Sequence, residues 1–229
     1  LNTLDVETTG AITATVEDTI SGLGTAVNDA QSNNSITITI SDSVANLKAD
    51  ADTNGGAGTI LANNYATTVT DAPSVAQLKG INAATTGAIT LGDTSGALSG
   101  SGSDLVDAFA GSVTTHTGTV TVTGTATVSQ LNTLDAATTG VITATVADTI
   151  SGLGTAVNDA QSNNSVTITI SDSAANLKTD ADTNGGAGTI LANNYATTVT
   201  DAPSVAQLKG VNAATTGTII LGDASGALS

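Results

Sequence analysis

Asp50-Ala-Asp52-Thr-Asn54-Gly55-Gly56 places three side-chain oxygens at alternate positions ahead of a glycine pair, and the same order returns as Asp180, Asp182, Asn184, Gly185 and Gly186. Alternate oxygens before a turn-permitting glycine form the first half of an EF-hand-type calcium loop. The second half is missing: position twelve counted from Asp50 is Leu61, where such a loop carries a bidentate Glu. Asp50, Asp52 and Asn54, with Asp180, Asp182 and Asn184, are therefore candidate Ca²⁺ ligands. The alternative is an Asx-rich glycine turn that holds no ion.

A second set of acids recurs just after alternating apolar runs: Asp18, Asp42, Asp71 and Asp93, and again Asp148, Asp172, Asp201 and Asp223. Placed there, a carboxylate can cap the helix that follows by accepting its free N–H groups. If the runs stack, the same carboxylates form a ladder, and anions a few ångströms apart repel unless a cation such as Ca²⁺ bridges them. Thr-x-Thr pairs (Thr13 and Thr15, Thr37 and Thr39, Thr121 and Thr123, Thr143 and Thr145) resemble the flat faces of ice-binding β-solenoids, although the stretches near Tyr65 and Ala88 interrupt the row. Nothing composes a catalytic site. There is no Cys and no Arg, and His116, the single histidine, sits in Val113-Thr-Thr-His-Thr-Gly, which reads as a solvated position. Asp104 and Asp107 read as an exposed acid pair on a helix spanning 104–111.

The elements that must position these residues are repeated. Residues 1–99 return as 131–229 at an offset of 130, with eleven differences such as Ile36 to Val166, Val44 to Ala174, Ile81 to Val211 and Glu17 to Ala147. A shorter period lies inside, with apolar runs ending at Val16, Ile40, Val69, Leu91, Val122 and Val146, spaced 24, 29, 22, 31 and 24 residues. Ile12-Thr-Ala-Thr-Val16 and Ile36-Thr-Ile-Thr-Ile40 alternate with period two, as half-buried strands do. Val75, Leu78, Ile81 and Ala84 recur every third residue, as do Val128, Leu131, Leu134 and Ala137 and, more weakly, Ile20, Leu23 and Val27; each spacing suits a short α or 3₁₀ helix. Gly87, Gly140 and Gly217 stand where a glycine would end such a helix. The pattern predicts a β-rich repeat solenoid: parallel stacked strands with short α or 3₁₀ helices in coils of about 22–31 residues, five per 130-residue unit. Residues 1–130 would be one long repeat and 131–229 a second, truncated one, with no independent globular domains. Both ends fall inside a repeat, so the sequence reads as a window on a longer array.

Composition agrees with a narrow aliphatic core. The chain has one Phe, two Tyr and no Trp, yet 39% hydrophobic residues, 10% charged residues and a mean hydropathy of +0.20, unlike a simple disordered chain. Four Lys against twenty acids give a net charge of −16, which repels nucleic acid and anionic lipid. No segment reads as inserting into a membrane.

Asp18-Thr-Ile-Ser-Gly-Leu23, Ser41-Asp-Ser-Val-Ala-Asn-Leu47 and Ala126-Thr-Val-Ser-Gln-Leu-Asn-Thr-Leu-Asp-Ala-Ala-Thr-Thr-Gly140 resemble the repeats of giant bacterial cell-surface proteins, those of cyanobacteria and calcium-dependent adhesins above all. The resemblance covers essentially the whole chain and implies secretion, surface exposure and self-association into fibres, layers or adhesive stalks, often with Ca²⁺. The Gly-Gly-x-Gly-x-Asp nonapeptide is absent, so no ligand role carries over residue by residue. The expected function is a structural repeat of an extracellular filament, sheath or surface layer, with a calcium-stiffened adhesin stalk as the alternative and an ice-binding face third.

Overall fold

The computed structural model describes residues 7–26, 35–154 and 164–225. Val27, expected in the first helix, and both chain ends lie outside the described residues. The observed strands are β1 (Thr13–Asp18), β2 (Ser35–Asp42), β3 (Ala66–Val69), β4 (Ile89–Leu91), β5 (Leu98–Ser101), β6 (Val120–Ala126), β7 (Ile142–Asp148), β8 (Ser165–Asp172), β9 (Ala196–Val199) and β10 (Ile219–Leu221). Between them run α1 (Ile20–Ala26), α2 (Val44–Ala51), α3 (Val75–Ala83), α4 (Gly102–Ala108), α5 (Val128–Ala137), α6 (Ile150–Leu153), α7 (Ala174–Ala181) and α8 (Val205–Ala214). One sheet has four strands in the order β1-β2-β3-β4, and the other six in the order β10-β9-β8-β7-β6-β5.

This is an α/β fold with two parallel sheets, and it overturns the β-rich solenoid expected from the strand alternation. The segments after the strands are not mere corners. Ser43, Ser74, Thr149, Ser173 and Ser204 each accept a backbone N–H from the first turn of the next helix, and Ser74 with Gln77 and Ser204 with Gln207 complete capping boxes. So capped, several of these segments extend to helices of eight to ten residues, and successive helices (α2 with α3, α7 with α8) pack on one another as a layer. Among the described residues, helix exceeds strand.

Strand register also differs from the expected spacing. Val16 pairs with Ile38 and Asp42 with Val69, so β1 to β2 steps 22 residues (Thr13 to Ser35) and β2 to β3 steps 27 (Thr39 to Ala66). Both steps are two shorter than the sequence alignment suggests. A two-residue error leaves every side chain on its expected face, because strand orientation has period two. The larger surprise is Leu91. Its strand, β4, pairs with β3 but leads into no helix; the strand that enters α4 is β5, beginning seven residues later at Leu98. The four-stranded sheet ends at β4 and the six-stranded sheet at β5.

The chain divides into two compact units, one of Leu1–Gly100, Asp104–Val120 and Ala137–Gly140, the other of Ser101–Ser103, Thr121–Ala136 and Val141–Ser229. Ile40, Leu47, Leu61, Val69, Leu78 and Ile81 fill the first core, and Leu153, Ile170, Leu177, Leu191, Val199 and Val211 the second, all at most 1% exposed. Ile81 to Val211 thus exchanges one buried aliphatic for another. Gly87, Gly140 and Gly217 serve close approach rather than a left-handed helix end, since none has positive φ. A Cβ on Gly87 would collide with the carbonyl oxygens of Asn64 and Tyr65, and one on Gly217 with those of Asn194 and Tyr195. Gly87→Ala is expected to lower stability by about 2 kcal/mol or more, because the obstacle is backbone that cannot rotate aside; urea unfolding beside Gly24→Ala, where a Cβ meets open space, checks it.

Candidate functional site

The acids after the strands form one repeated arrangement. At the end of β2, Asp42 is 6% exposed; its Oδ1 accepts from Ser43 N (2.7 Å) and Asn46 Nδ2 (2.8 Å), and its Oδ2 from Ile20 N (3.0 Å). Asp172 repeats this with Ser173 N (2.7 Å), Asn176 Nδ2 (2.8 Å) and Ile150 N (3.0 Å). Asp71 accepts from Val44 N and Asp201 from Ala174 N, both at 2.6 Å, and Asp148 accepts from Val128 N at 3.0 Å. Ile20, Val44, Val128, Ile150 and Ala174 are each the first residue of a helix. The helix served is therefore the one before the strand, whereas the helix after it takes its own cap from the adjacent Ser or Thr. Helix-capping was legible in the sequence; its direction was not. A carboxylate here also sits at the positive end of the helix dipole.

Asp18 accepts from Thr19 N (2.8 Å), and Asp93 and Asp223 each accept from the N–H and hydroxyl of the serine two residues on. The Ser95 backbone and hydroxyl hold the Asp93 carboxyl below its ordinary value.

In the glycine loop, Asp50 is 7% exposed and turned inward. Its carboxylate accepts from Thr59 N, Ile60 N and Leu61 N, the last at 3.0 Å, and Asp180 accepts likewise from Thr189, Ile190 and Leu191. Asp52 pairs with Lys48 and Asp182 with Lys178. Asn54, at φ 51°, donates Nδ2 to Gly58 O (2.9 Å), and Asn184 donates to Gly188 O (3.0 Å). The three side chains of each loop thus face different partners, and a cation would have to displace these contacts. Among the described residues no group of three or more His, Cys, Asp or Glu converges as a metal site would.

The Thr pairs lie on the exposed strand face. Thr15 opposes Thr37 and Thr145 opposes Thr167, but the next row reads Glu17, Thr39, Ala66, so hydroxyls do not continue across the sheet.

His116 is not solvated: it is 2% exposed. Its backbone accepts from Thr139 N (2.8 Å) and Thr138 Oγ1 (2.9 Å), which turns the ring inward against Phe109, centroid to centroid 5.8 Å. Leu91, Leu98, Pro73 and Asp93 join it around a cavity of about 10 Å³, and neither ring nitrogen has a hydrogen-bond partner. Burial pushes the imidazole below its ordinary value, opposed by the nearby Gly96 backbone and the Asp93 carboxylate. Asp104 and Asp107 are not a free acid pair: Lys79 Nζ binds Asp104 Oδ1 at 2.7 Å and Asp107 Oδ2 at 2.8 Å, and these partners push the Lys79 ammonium upward. Sequence reasoning overlooked Lys79 because 25 residues separate it from Asp104. It also overlooked Asn64 and Asn194, whose left-handed backbones turn their Oδ1 atoms toward Thr86 N (2.7 Å) and Thr216 N (2.8 Å); an Asn before a strand was the available signal.

No helix among the described residues is long and apolar enough to cross a membrane. Compared with known protein families, curated proteins and solved structures, the chain matches none.

Two outcomes follow from this geometry. Asp42→Ala removes a buried acceptor from three part-buried hydrogen bonds and is expected to cost about 3 kcal/mol, whereas Asp71→Ala, on an exposed residue, costs about 1; paired denaturant curves compare them. A histidine whose folded value lies below the unfolded ~6.5 contributes its full stability above that pH and loses it on acidification, since the unfolded chain takes up the proton first. Melting midpoints should therefore fall between pH 7 and 5, and His116→Leu should flatten that slope.

Proposed function

We propose that the chain is a non-catalytic structural repeat of an extracellular array, which self-associates into fibres or layers. The observation that carries this reading is the return of one load-distributing arrangement at a 130-residue offset. Ile20 to Asp42 and Ile150 to Asp172 are both 3.0 Å, and Val44 to Asp71 and Ala174 to Asp201 are both 2.6 Å, despite the Val44 to Ala174 exchange. An arrangement that returns despite eleven sequence differences, with the cores filled and the acids engaged in capping, is what a structural element needs. Parallel pairing of successive strands supports the repeat part: among the described residues, β1 pairs with β2 and β10 with β9 in the same direction. The resemblance to bacterial surface repeats supports the extracellular setting.

The net charge of −16 opposes contact between copies, and salt screens it over roughly 8–10 Å near physiological strength. Sedimentation velocity of the purified chain should accordingly reveal concentration-dependent assemblies that grow from 10 mM to 300 mM NaCl. A single monomeric species across that range would remove the assembly reading.

A further inference from the structure

An asparagine followed by glycine is open to spontaneous covalent change, because glycine has no side chain to obstruct its own backbone nitrogen. Of all the asparagines in the chain only Asn54 and Asn184 precede glycine, and they occupy the same position in the two copies of the glycine loop. The reaction needs no enzyme. The Gly55 nitrogen gives up its proton and attacks Asn54 Cγ, the new C–N bond closes a five-membered imide, and Nδ2 leaves as ammonia. Water then opens the imide at either carbonyl and leaves aspartate or isoaspartate. One water is consumed, one ammonia is released and nothing is oxidised.

The closed loop opposes this sequence at the leaving nitrogen. Asn54 Nδ2 donates to Gly58 O (2.9 Å) and Thr59 Oγ1 (3.3 Å), and Asn184 Nδ2 donates to Gly188 O (3.0 Å) and Thr189 Oγ1 (3.3 Å). Thr59 Oγ1 lies 3.0 Å from Thr53 Oγ1, which donates to Asp50 O (2.7 Å), and the Asp50 carboxylate gathers the N–H groups of Thr59, Ile60 and Leu61. The backbone is fixed as well: Asn54, Gly55 and Gly56 have φ of 51°, 72° and 99°, and Gly56 N and Gly58 N both donate to Thr53 O (2.9 and 3.2 Å). Ring closure needs its two reacting atoms close and aligned, and departure of Nδ2 breaks both of its bonds. The reaction therefore waits on local opening of the loop.

The product does not restore the closed loop. Aspartate at position 54 has no proton to offer the Gly58 carbonyl, and it adds a negative charge beside Asp50 and Asp52. Isoaspartate inserts an extra carbon into the backbone of the turn.

We propose that Asn54 and Asn184 are deamidation sites gated by the fold, inert while the loop is closed and converted once it opens, so that each repeat keeps a permanent mark of having opened. The proposal does not depend on self-association.

The duplicated loop supplies its own control. Cleavage after lysine yields peptides 49–79 and 179–209, identical except for Ala49 and Thr179, so mass spectrometry reads both sites in one digest. In mildly alkaline buffer, deamidation at Asn54 and Asn184 is expected to run about tenfold slower or more in the folded chain than in the same chain held in guanidinium chloride. Asp50→Asn and Thr59→Val, which loosen the first loop alone, should raise the rate at Asn54 about tenfold and about threefold and leave Asn184 unchanged. Equal rates in buffer and denaturant would overturn the proposal, as would variants that raise both sites alike or neither.

Discussion

A carboxylate at the end of one strand accepting the first N–H of the helix one repeat earlier is the contact on which the rest of the arrangement depends. Each helix here is short, seven residues for α1, four for α6 and eight for α2 and α7, and helices of that length do not persist alone. Their first-turn donors need partners. The adjacent Ser or Thr supplies one, and the acid of the following strand supplies the next. Because that acid also accepts from its own loop, as Asp42 does from Ser43 and Asn46, one buried side chain ties a strand end, a turn and a neighbouring helix together.

The same contact explains how so acidic a chain keeps a compact interior. Negative charge is brought to helix N-termini, where backbone dipoles favour it, and Lys48, Lys79 and Lys178 neutralise part of the remainder. These lysine pairs lie near the surface and contribute modestly to stability. Beside the hydrogen-bonded acids Asp42, Asp50, Asp172 and Asp180 the buried positions are mostly Ile, Leu, Val and Ala, with His116 as the one buried ring whose nitrogens lack a hydrogen-bond partner among the described residues.

Much of this was legible beforehand. Period-two alternation marked β1, β2, β7 and β8, and period-three spacing marked α3 and α5, because each pattern reports which face meets the core. Long-range choices were not legible. Leu91 has the same local look as Ile40, yet its strand leads into no helix, and nothing within a few residues tells the two apart. Asp42 likewise reaches back 22 residues to Ile20, a partner that nothing near it in the sequence announces. The loop at Asp50 read as a half-built calcium site because alternate oxygens are what such a site needs, while its partners, the N–H groups of residues 59–61, carry no sequence signature. His116 looked solvated among threonines, although strand pairing with Thr138 aims it inward.

The direction of capping gives the polypeptide an arrow. As a chain emerges from a ribosome, α2 is complete at Ala51 but its first N–H waits for Asp71, and α1 likewise waits for Asp42. Consolidation therefore trails synthesis by about one repeat, and a newly emerged helix stays the least secured until the acid of the following strand has followed it.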